Sequence, residues 1–336
     1  MSTANFKQSK TTHRQRLEAC LFGTTPDRPP VALWRHFPVD DQTPEGLAVA
    51  TVHFQRNYDF DLVKVTPSSS FCLMDWGVED QWDGSTEGTR RYTKRVISRP
   101  EDWLRLKVLN PHTGWLNGQL TCLRQITGEL GADVPVIQTV FSPLAQAKNL
   151  AGGETLLVHL RRYPDAVHTG LRTITASIQR FVEAAHQTGI AGVFYAVQHA
   201  QYGLLSEQEY RTFGRKYDLE ALQPAEDFWF NMLHLHGSEV MFDLFLDYPV
   251  HAINWHDRET SPSLEEAQKR FKGVVCGGLR QWQTMMLGTP QQVRAEAKAA
   301  IGATGGKRFI LGTGCVTPVV APHGNLMAAR QSVEEV

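Results

Sequence analysis

The 336-residue chain lacks three features that would assign it to common protein classes. It has no apolar run of about 18 residues, the length that a membrane-spanning helix requires. It has no excess of one charge, because 34 Lys and Arg stand against 35 Asp and Glu. It has no basic cluster, and its polar first ten residues lack the apolar centre of a signal peptide. We therefore expect neither a membrane nor a nucleic acid as partner.

Cysteine is also scarce. The five cysteines show no paired spacing, which argues against a disulfide framework and favours a reducing, cytoplasmic location: Cys20, Cys72, Cys122, Cys276 and Cys315. What the chain does have is an ordinary globular composition, 42% hydrophobic and 21% charged. We expect a folded protein with a large core.

Short β-rich runs alternate with longer helical patterns along the chain, which favours a parallel sheet with helical crossovers. Eight strands in this arrangement predict a (β/α)8 TIM barrel. We expect a single barrel domain over 30–336, preceded by an N-terminal extension over 1–29 that covers the N-terminal side or flank. The predicted strands are Pro30–His36, Leu62–Pro67, Val134–Phe141, Gly192–Gln198, Met232–Gly237, His251–Asp257, Gly273–Leu279 and Phe309–Cys315.

Helical periodicity and start signals such as Thr43-Pro44-Glu45 predict the helices between these strands. One segment, Asp75 to Arg99, is rich in Gly, Thr and Trp and predicts a β excursion instead. The predicted helices are Thr43–Tyr58, Gly153–Leu160, Tyr163–Thr188, Ser206–Tyr217, Pro224–Phe230, Ser263–Arg270, Pro290–Ile301 and His323–Val333.

Three residues near predicted strand ends carry the strongest chemical signal: His234, His236 and Cys315. Residues two apart on a strand face the same side, so both histidines point one way. Imidazole and thiolate are preferred zinc ligands, and three protein ligands leave one position open for chemistry. The alternative is a pair of hydrogen-bonded histidines and a small buried cysteine. Active sites of α/β barrels lie at strand C-termini, which favours a catalytic zinc site.

Five motifs in the expected order make the chain resemble the uroporphyrinogen decarboxylase superfamily, which includes zinc-dependent methyltransferases that act with corrinoid proteins. The resemblance runs from Arg28 to about Arg330. The motifs are Asp27–Val31 with Trp34-Arg35, Phe141–Ala145 with Leu150–Gly153, Gly203–Tyr210, Ile253–Trp255, and Gly277–Leu279 with Leu287–Pro290.

The resemblance also implies how the chain differs from the decarboxylases. Their opening strand and loop carry two arginines, and an aspartate follows the second strand. Arg35 matches the first arginine, but Val39 and Ser68 stand where the second arginine and the aspartate are expected. Without this cation and this acceptor, a porphyrinogen would be held poorly. The sequence therefore predicts no decarboxylation of uroporphyrinogen.

The methyltransferase branch, by resemblance, binds zinc through a His-x-Cys-Gly strand end and a Gly-Cys strand end. This chain has His234-Leu235-His236-Gly237 and Gly314-Cys315. His236 replaces a cysteine, which keeps a good zinc ligand but removes one negative charge. His256 lies where the family supplies a fourth ligand in the substrate-free state; the alternative is a surface histidine.

Further candidates come from the other strand ends. As catalytic residues we predict His256, His199 and Arg35, the last because its planar fork suits a carboxylate or sulfonate, with an ion pair under the barrel mouth as the alternative. Gln198 and Tyr202 are predicted to line the substrate cavity.

Two consecutive glycines complete the predicted site. Gly277 and Gly278 would let a ligand approach the backbone closely, or would form a tight turn.

The leading hypothesis is a zinc-dependent methyltransferase that moves a methyl group between a corrinoid (cobalamin), carried by a partner protein, and a thiol or similar nucleophile. The alternatives are a metal-free decarboxylase of the uroporphyrinogen decarboxylase type and a non-catalytic barrel that binds a small molecule. A homodimer is possible within either enzyme hypothesis.

Overall fold

The structure is a computed structural model that describes residues 11–334. Its strands are β1 (Val63–Val65), β2 (Glu79–Gln81), β3 (Arg91–Lys94), β4 (Val136–Phe141), β5 (Gly192–Val197), β6 (Met232–Leu235), β7 (Ala252–Trp255), β8 (Val274–Leu279) and β9 (Phe309–Thr313). Its α-helices are α1 (His13–Leu21), α2 (Pro44–Tyr58), α3 (Gly114–Leu130), α4 (Pro143–Ala151), α5 (Gly153–Arg162), α6 (Pro164–His186), α7 (Glu207–Tyr210), α8 (Lys216–Leu222), α9 (Leu264–Arg270), α10 (Pro290–Thr304) and α11 (His323–Ser332).

Seven of the strands form one parallel sheet in the order β1-β4-β5-β6-β7-β8-β9. With β2 and β3 in a separate sheet, each strand of the barrel pairs with the next barrel strand along the chain, as in a TIM barrel. The sheet strands are buried throughout, as expected when helices cover one face and the barrel interior fills the other. The predicted TIM-barrel-like α/β fold of a single domain is confirmed.

The first predicted strand is not a regular strand. Residues 30–36 form one parallel bridge, between Val31 and Leu311 of β9. The amide of Ala32 donates to the carbonyl of Leu311 (2.9 Å), and the amide of Asp61, just before β1, donates to the carbonyl of Val31 (2.8 Å). The segment thus spans the gap between β9 and β1, but Pro29 and Pro30 have no N–H and cannot extend the ladder.

Helices α3 and α4 were not among the sequence predictions, and one predicted helix is wrong. The segment predicted as Pro224–Phe230 contains only a single 3-10 turn, Gln223–Ala225. The helix predicted as Ser206–Tyr217 instead continues to Leu222 through a π-helical stretch, Arg211–Arg215. The predicted β excursion is confirmed, since β2 and β3 form an antiparallel hairpin outside the barrel sheet.

Helix α1 lies against the N-terminal ends of the strands. The amide of Arg14 donates to the carbonyl of Asp133 before β4 (3.0 Å), and the Cys20 thiol donates to the carbonyl of Phe309 (3.4 Å). Helix α1, which belongs to the expected N-terminal extension, therefore covers the end of the barrel away from the strand C-termini, while residues 1–10 of that extension lie outside the described residues. Its predicted boundary at residue 29 stays a prediction.

All five cysteines are free thiols, as predicted. Among residues 11–334, none of the helices combines the length and the apolar character needed to cross a membrane.

Candidate metal centre

The two histidines of the His-x-His motif lie at the C-terminal end of β6. The amide of His236 donates to the carbonyl of Val197 (2.9 Å), which continues the ladder with β5 one residue beyond the strand. His234 and His236 face the barrel mouth, while the buried side chain of Leu235 lies on the other side. The alternation of an extended chain thus places both imidazoles on one side, as predicted.

Two further side chains join them from neighbouring strand ends. Cys315 follows β9, and His256 follows β7. One ligand atom from each of His234, His236, His256 and Cys315 lies within 4.8 Å of all the others. The Cys315 Sγ is 3.7 Å from His236 Nδ1. The predicted convergence of His234, His236 and Cys315 is confirmed, although β6 and β9 are separated by two strands; their role as metal ligands stays a prediction.

Gly314 allows this convergence. A Cβ at position 314 would lie 2.7 Å from the His256 Cα and 3.0 Å from the carbonyl oxygen of Trp255. Only glycine fits against this backbone, and the close approach carries Cys315 next to His256.

Asn254, on β7, fixes the orientation of His234. Its side-chain nitrogen donates to the carbonyls of Cys276 (2.9 Å) and Thr313 (3.0 Å). This leaves its oxygen to accept from His234 Nδ1 at 2.7 Å. His234 Nε2 is then the free lone pair, and it is buried without a hydrogen-bond partner in the described residues. His256 Nε2 is likewise buried without a hydrogen-bond partner in the described residues.

Burial keeps the histidines neutral. It lowers the pKa of His236 to about 4 and that of His234 well below its usual value, with the neighbouring histidines adding to both shifts. Neutral imidazole is the metal-binding form. Burial also raises the pKa of Cys315 to about 11, so the free thiol is protonated at neutral pH. A bound cation would reverse that balance, because thiolates are the form that metals bind.

The donor set fits zinc. Three imidazole nitrogens and one thiol converge within the span of one small ion, and the buried Nε2 atoms of His234 and His256, which have no hydrogen-bond partner in the described residues, are suited to bind a cation. The Asn254–His234 contact is the outer-shell hydrogen bond that accompanies ligating histidines.

The centre lies on the wall of a cavity of about 430 Å³ at the barrel mouth. Five cations line this cavity, and Glu87 is the single carboxylate among its described lining residues. The cations are Lys64, Arg90, Arg91, Arg95 and Lys148. Arg90 and Arg91 are paired with Asp41 and Asp83, which leaves Lys64, Arg95 and Lys148 as the basic side chains of the cavity that form no ion pair with a described residue.

The remaining sequence-predicted residues divide into two groups. Gln198 lines the cavity, as predicted, and its Oε1 is buried without a partner in the described residues. His199 is buried beside the cavity but does not line it, and burial together with the charge of Lys148 lowers its pKa to about 4.

Four predicted residues do not line the cavity, namely Arg35, Tyr202, Gly277 and Gly278. Arg35 points outward, with its guanidinium over the rings of Phe37 and Phe54, because the alternation of the extended segment turns residues 34 and 36 inward. Tyr202 is 56% exposed and donates to Glu207.

Gly277 and Gly278 lie against the buried carboxylate of Asp257, which leaves no room for a ligand beside them. A Cβ at Gly277 would meet the Asp257 carboxylate at 2.3 Å, and the Gly278 amide donates to both Asp257 oxygens at 3.1 Å. Gly278 also has a φ of +109°, which favours glycine. The glycines are therefore a structural turn, the alternative that the sequence left open.

Sequence reasoning missed Asn254 and Lys64 as site residues. Each is a single polar residue within a buried strand, Asn254 in Ala252–Trp255 and Lys64 in Val63–Val65. That isolation was the available signal, because a buried polar group requires a partner.

Residues 12–336 match the family model described as "Uroporphyrinogen decarboxylase (URO-D)". The chain belongs to this family. The match covers nearly the whole chain and confirms the resemblance that the sequence motifs indicated. The protein is accordingly an enzyme of the URO-D superfamily.

Solved structures show the same fold. The chain is similar to a methyltransferase from Methanosarcina mazei, with a TM-score of 0.85, 18% identity, and coverage of 97% of this chain and 99% of that one. It is also similar to a B12-independent methionine synthase from Shewanella sp. W3-18-1 in complex with selenomethionine, with a TM-score of 0.54, 12% identity, and coverage of 91% and 92%. No curated protein matches the sequence.

Proposed function

We propose that this URO-D enzyme is a zinc-dependent methyltransferase, which moves a methyl group between a corrinoid carried by a partner protein and a thiol or similar nucleophile. The observation that carries the proposal is the convergence of His234, His236, His256 and Cys315 within 4.8 Å at the strand C-termini. His234, His236 and Cys315 would hold the zinc, with His256 as a fourth ligand when no substrate is bound.

Bound zinc supplies a Lewis acid that lowers the pKa of a coordinated thiol, which makes a thiolate nucleophile available at neutral pH. The residues of the chain prepare the site for this role. Asn254 holds His234 in one tautomer, and Phe194 stacks on the His234 ring with centroids 5.2 Å apart. His236 replaces the cysteine of the methyltransferase pattern, so the site carries one negative charge less and is more electrophilic.

The cavity fits the smaller of the two substrates. A volume of about 430 Å³ lies at the small end of typical small-molecule sites. It suits a small nucleophile, whereas a corrinoid would stay on its partner protein and approach at the mouth. The printed names of the two similar structures, a methyltransferase and a methionine synthase, support methyl transfer as the reaction class.

One observation favours a second candidate. Five cations around one carboxylate suit an acidic substrate, which a metal-free decarboxylase would also require. The two candidates differ in their use of the histidine and cysteine cluster, since a metal-free decarboxylase has no need for it.

Metal content separates the candidates. Protein purified without added metal should contain about one zinc per chain by elemental analysis, as a three-ligand site implies. Cys315→Ala should lose most of it, and Cys276→Ala, which removes a buried thiol outside the cluster, should keep it. The wild type should also convert methylcobalamin and a thiol to a thioether. Wild-type protein that binds no zinc even when supplied with it contradicts the proposal.

A further inference from the structure

Lys64 is a cation inside the barrel. It is the middle residue of β1, it is 7% exposed, and it lines the same cavity as His234 and Cys315. Its neighbours in the strand, Val63 and Val65, are buried apolar residues. A lysine in such a strand is costly to bury and calls for a compensating group.

Within the described residues, the Lys64 ammonium has no such group. No hydrogen bond or ion pair joins its Nζ to another residue. It lies 4.7 Å from the ring centroid of Phe194 and 6.0 Å from that of Trp34. Contacts with aromatic faces are worth less than the hydration that a buried ammonium loses. Burial accordingly lowers the pKa of Lys64 to about 7, although the nearby Cys315 opposes the shift.

Two more polar atoms on the same wall are unsatisfied. Trp34 Nε1 and His36 Nδ1 are buried without a hydrogen-bond partner in residues 11–334, and both residues line the cavity. An indole N–H is only a donor. Burial, with the charges of Lys64 and Arg90, lowers the pKa of His36 to about 3, so its ring is neutral and adds no second charge.

We propose that Trp34, His36 and Lys64 form an oxyanion subsite, which binds a carboxylate of the substrate beside the metal centre. The substrate class would then be a small thiol or similar nucleophile that carries a carboxylate. A carboxylate supplies the counter-charge for the Lys64 ammonium and an acceptor for the Trp34 N–H, and its second oxygen would accept from His36 in the tautomer that carries the proton on Nδ1. The subsite rests on the proposed function, because it places the acid in the cavity where methyl transfer would occur.

Matched acids and amides test the subsite. Mercaptoacetate, 3-mercaptopropionate and 4-mercaptobutanoate would each be compared with its uncharged amide, by calorimetric titration of zinc-loaded protein. At least one acid should bind about tenfold or more tighter than its amide, the scale of a charge-assisted hydrogen bond. Lys64→Met should abolish this preference and leave the zinc content unchanged.

The matched control is Lys94→Met, which removes the same type of residue from the same side of the barrel. Lys94 is exposed, is paired with Glu79 at 2.7 Å and does not line the cavity, so the preference for the acid should survive. Lys64→Gln provides a second variant should Lys64→Met fold poorly, which thermal unfolding would reveal. Loss of the preference in Lys94→Met as well would indicate a general charge effect and overturn the subsite.

Failure of the subsite and failure of the transferase are distinguishable. If the protein holds no zinc, the transferase fails, and the subsite is tested with butanoate against butanamide on metal-free protein, with the same expected preference. The subsite is overturned if acids and amides bind alike to wild type, if no acid binds measurably, or if Lys64→Met and Lys64→Gln keep the preference.

Discussion

At the scale of the residue, the geometry of the histidine and cysteine cluster depends on an amide that no ligand motif contains. Asn254 makes three hydrogen bonds, two with its nitrogen and one with its oxygen, and so has a single possible orientation. That orientation fixes the His234 tautomer and leaves Nε2 free toward the cluster. The amide therefore acts through His234 and positions it.

Replacing Asn254 by Ala should weaken zinc binding about 10- to 100-fold, the usual effect of removing an outer-shell partner of a ligating histidine. Competition with a chromogenic chelator measures this affinity. His234→Ala should lose more, because it removes the ligand itself. Gln55→Ala is the control, since Gln55 is also a buried amide and donates to the carbonyl of Phe60, outside the cluster. Equal zinc affinity in Asn254→Ala and wild type would contradict a positioning role.

The convergence of His234, His236 and Cys315 could be predicted from the sequence, whereas of the cavity wall only Gln198 was predicted. Strand alternation places His234 and His236 together because the rule is local and holds within three residues. The same alternation turns Arg35 outward and Lys64 inward. Which alternate residues of a strand face the interior, however, depends on how that strand pairs with its neighbours. This pairing joins residues far apart in the sequence, such as Lys64 and Ile137, and no local pattern contains it.

At the scale of the element, the missed helices show two ways in which a local signal fails. Helix α4 is buried on nearly every side, so it has no polar face from which a helical period could be recognised. Helix α3 contains three glycines and a threonine N-cap without a side-chain bond, so its intrinsic preference is weak. It forms because Leu116, Leu120 and Leu123 pack at helical spacing, a period that was present in the sequence.

The hairpin of β2 and β3 is joined to the barrel by a buried ion pair. The side chains of Arg90 and Asp41 are 9% and 0% exposed, and they bond directly. Burial raises the pKa of Asp41 to about 6 against the opposing effect of Arg90. Arg90→Met should therefore lower the free energy of unfolding by about 3–5 kcal/mol at pH 8, because it leaves the buried Asp41 carboxyl group without its partner. Urea unfolding measures the loss.

A double variant tests whether the unpaired carboxyl group causes this loss of stability. Asp41→Asn in the Arg90→Met background removes the unpaired carboxyl group and should restore most of the stability. Arg91→Met breaks an exposed pair with Asp83 on the same hairpin and should cost about 1 kcal/mol or less. A loss in Arg90→Met that is as small as in Arg91→Met would show that the buried pair does not hold the hairpin.

Helix α1 is attached to the barrel by a titratable contact. His13 bonds to Asp59 at 3.0 Å and to Asp61 at 2.8 Å. Burial alone would lower the pKa of His13, but the two carboxylates outweigh it and raise that pKa to about 9. Because the folded pKa exceeds the usual value of 6.5, the contact stabilises fully below pH 6.5 and its contribution is lost as the pH rises through 9.

Wild-type protein should lose up to about 3 kcal/mol of unfolding free energy from this group between pH 6.5 and pH 9.5, and His13→Gln should not. Urea titrations at both pH values, with the difference taken between variant and wild type, isolate the contribution. His53→Gln, on the exposed face of α2, should follow the wild type. Parallel pH dependence in His13→Gln and wild type would exclude the histidine as its source.

At the scale of the whole molecule, the barrel separates two kinds of charge. The ion pairs of Asp61 with His13, Arg16 and Arg28 lie at the N-terminal ends of the strands, where those of His13 and Arg16 attach helix α1. The five basic side chains of the cavity lie near the opposite ends, where Arg90 and Arg91 are paired with Asp41 and Asp83 and the other three form no ion pair with a described residue. A net charge of -1 conceals this separation, because composition sums over both ends. Only the closed arrangement of strands reveals where the positive field lies.

That arrangement also decides which URO-D chemistry is open to the chain. Val39, at the position expected for the second arginine of the decarboxylases, is 62% exposed and does not line the cavity. Ser68 stands at the position expected for the aspartate, and its hydroxyl group is hydrogen-bonded to that of Ser70. No aspartate stands among the described residues that line the cavity, so no carboxylate of that kind can accept from pyrrole N–H groups.

Uroporphyrinogen incubated anaerobically with the enzyme should therefore yield no coproporphyrinogen at rates typical of enzymes, on the order of 1 per second. Chromatography of the oxidised porphyrins measures the product, and an active decarboxylase of the family serves as the positive control. The five cations alone should still bind the acidic macrocycle weakly at the mouth, so inhibition of methyl transfer by uroporphyrinogen is compatible with this expectation. Turnover at that rate would instead assign the cations to decarboxylation and leave the histidine and cysteine cluster without a catalytic role.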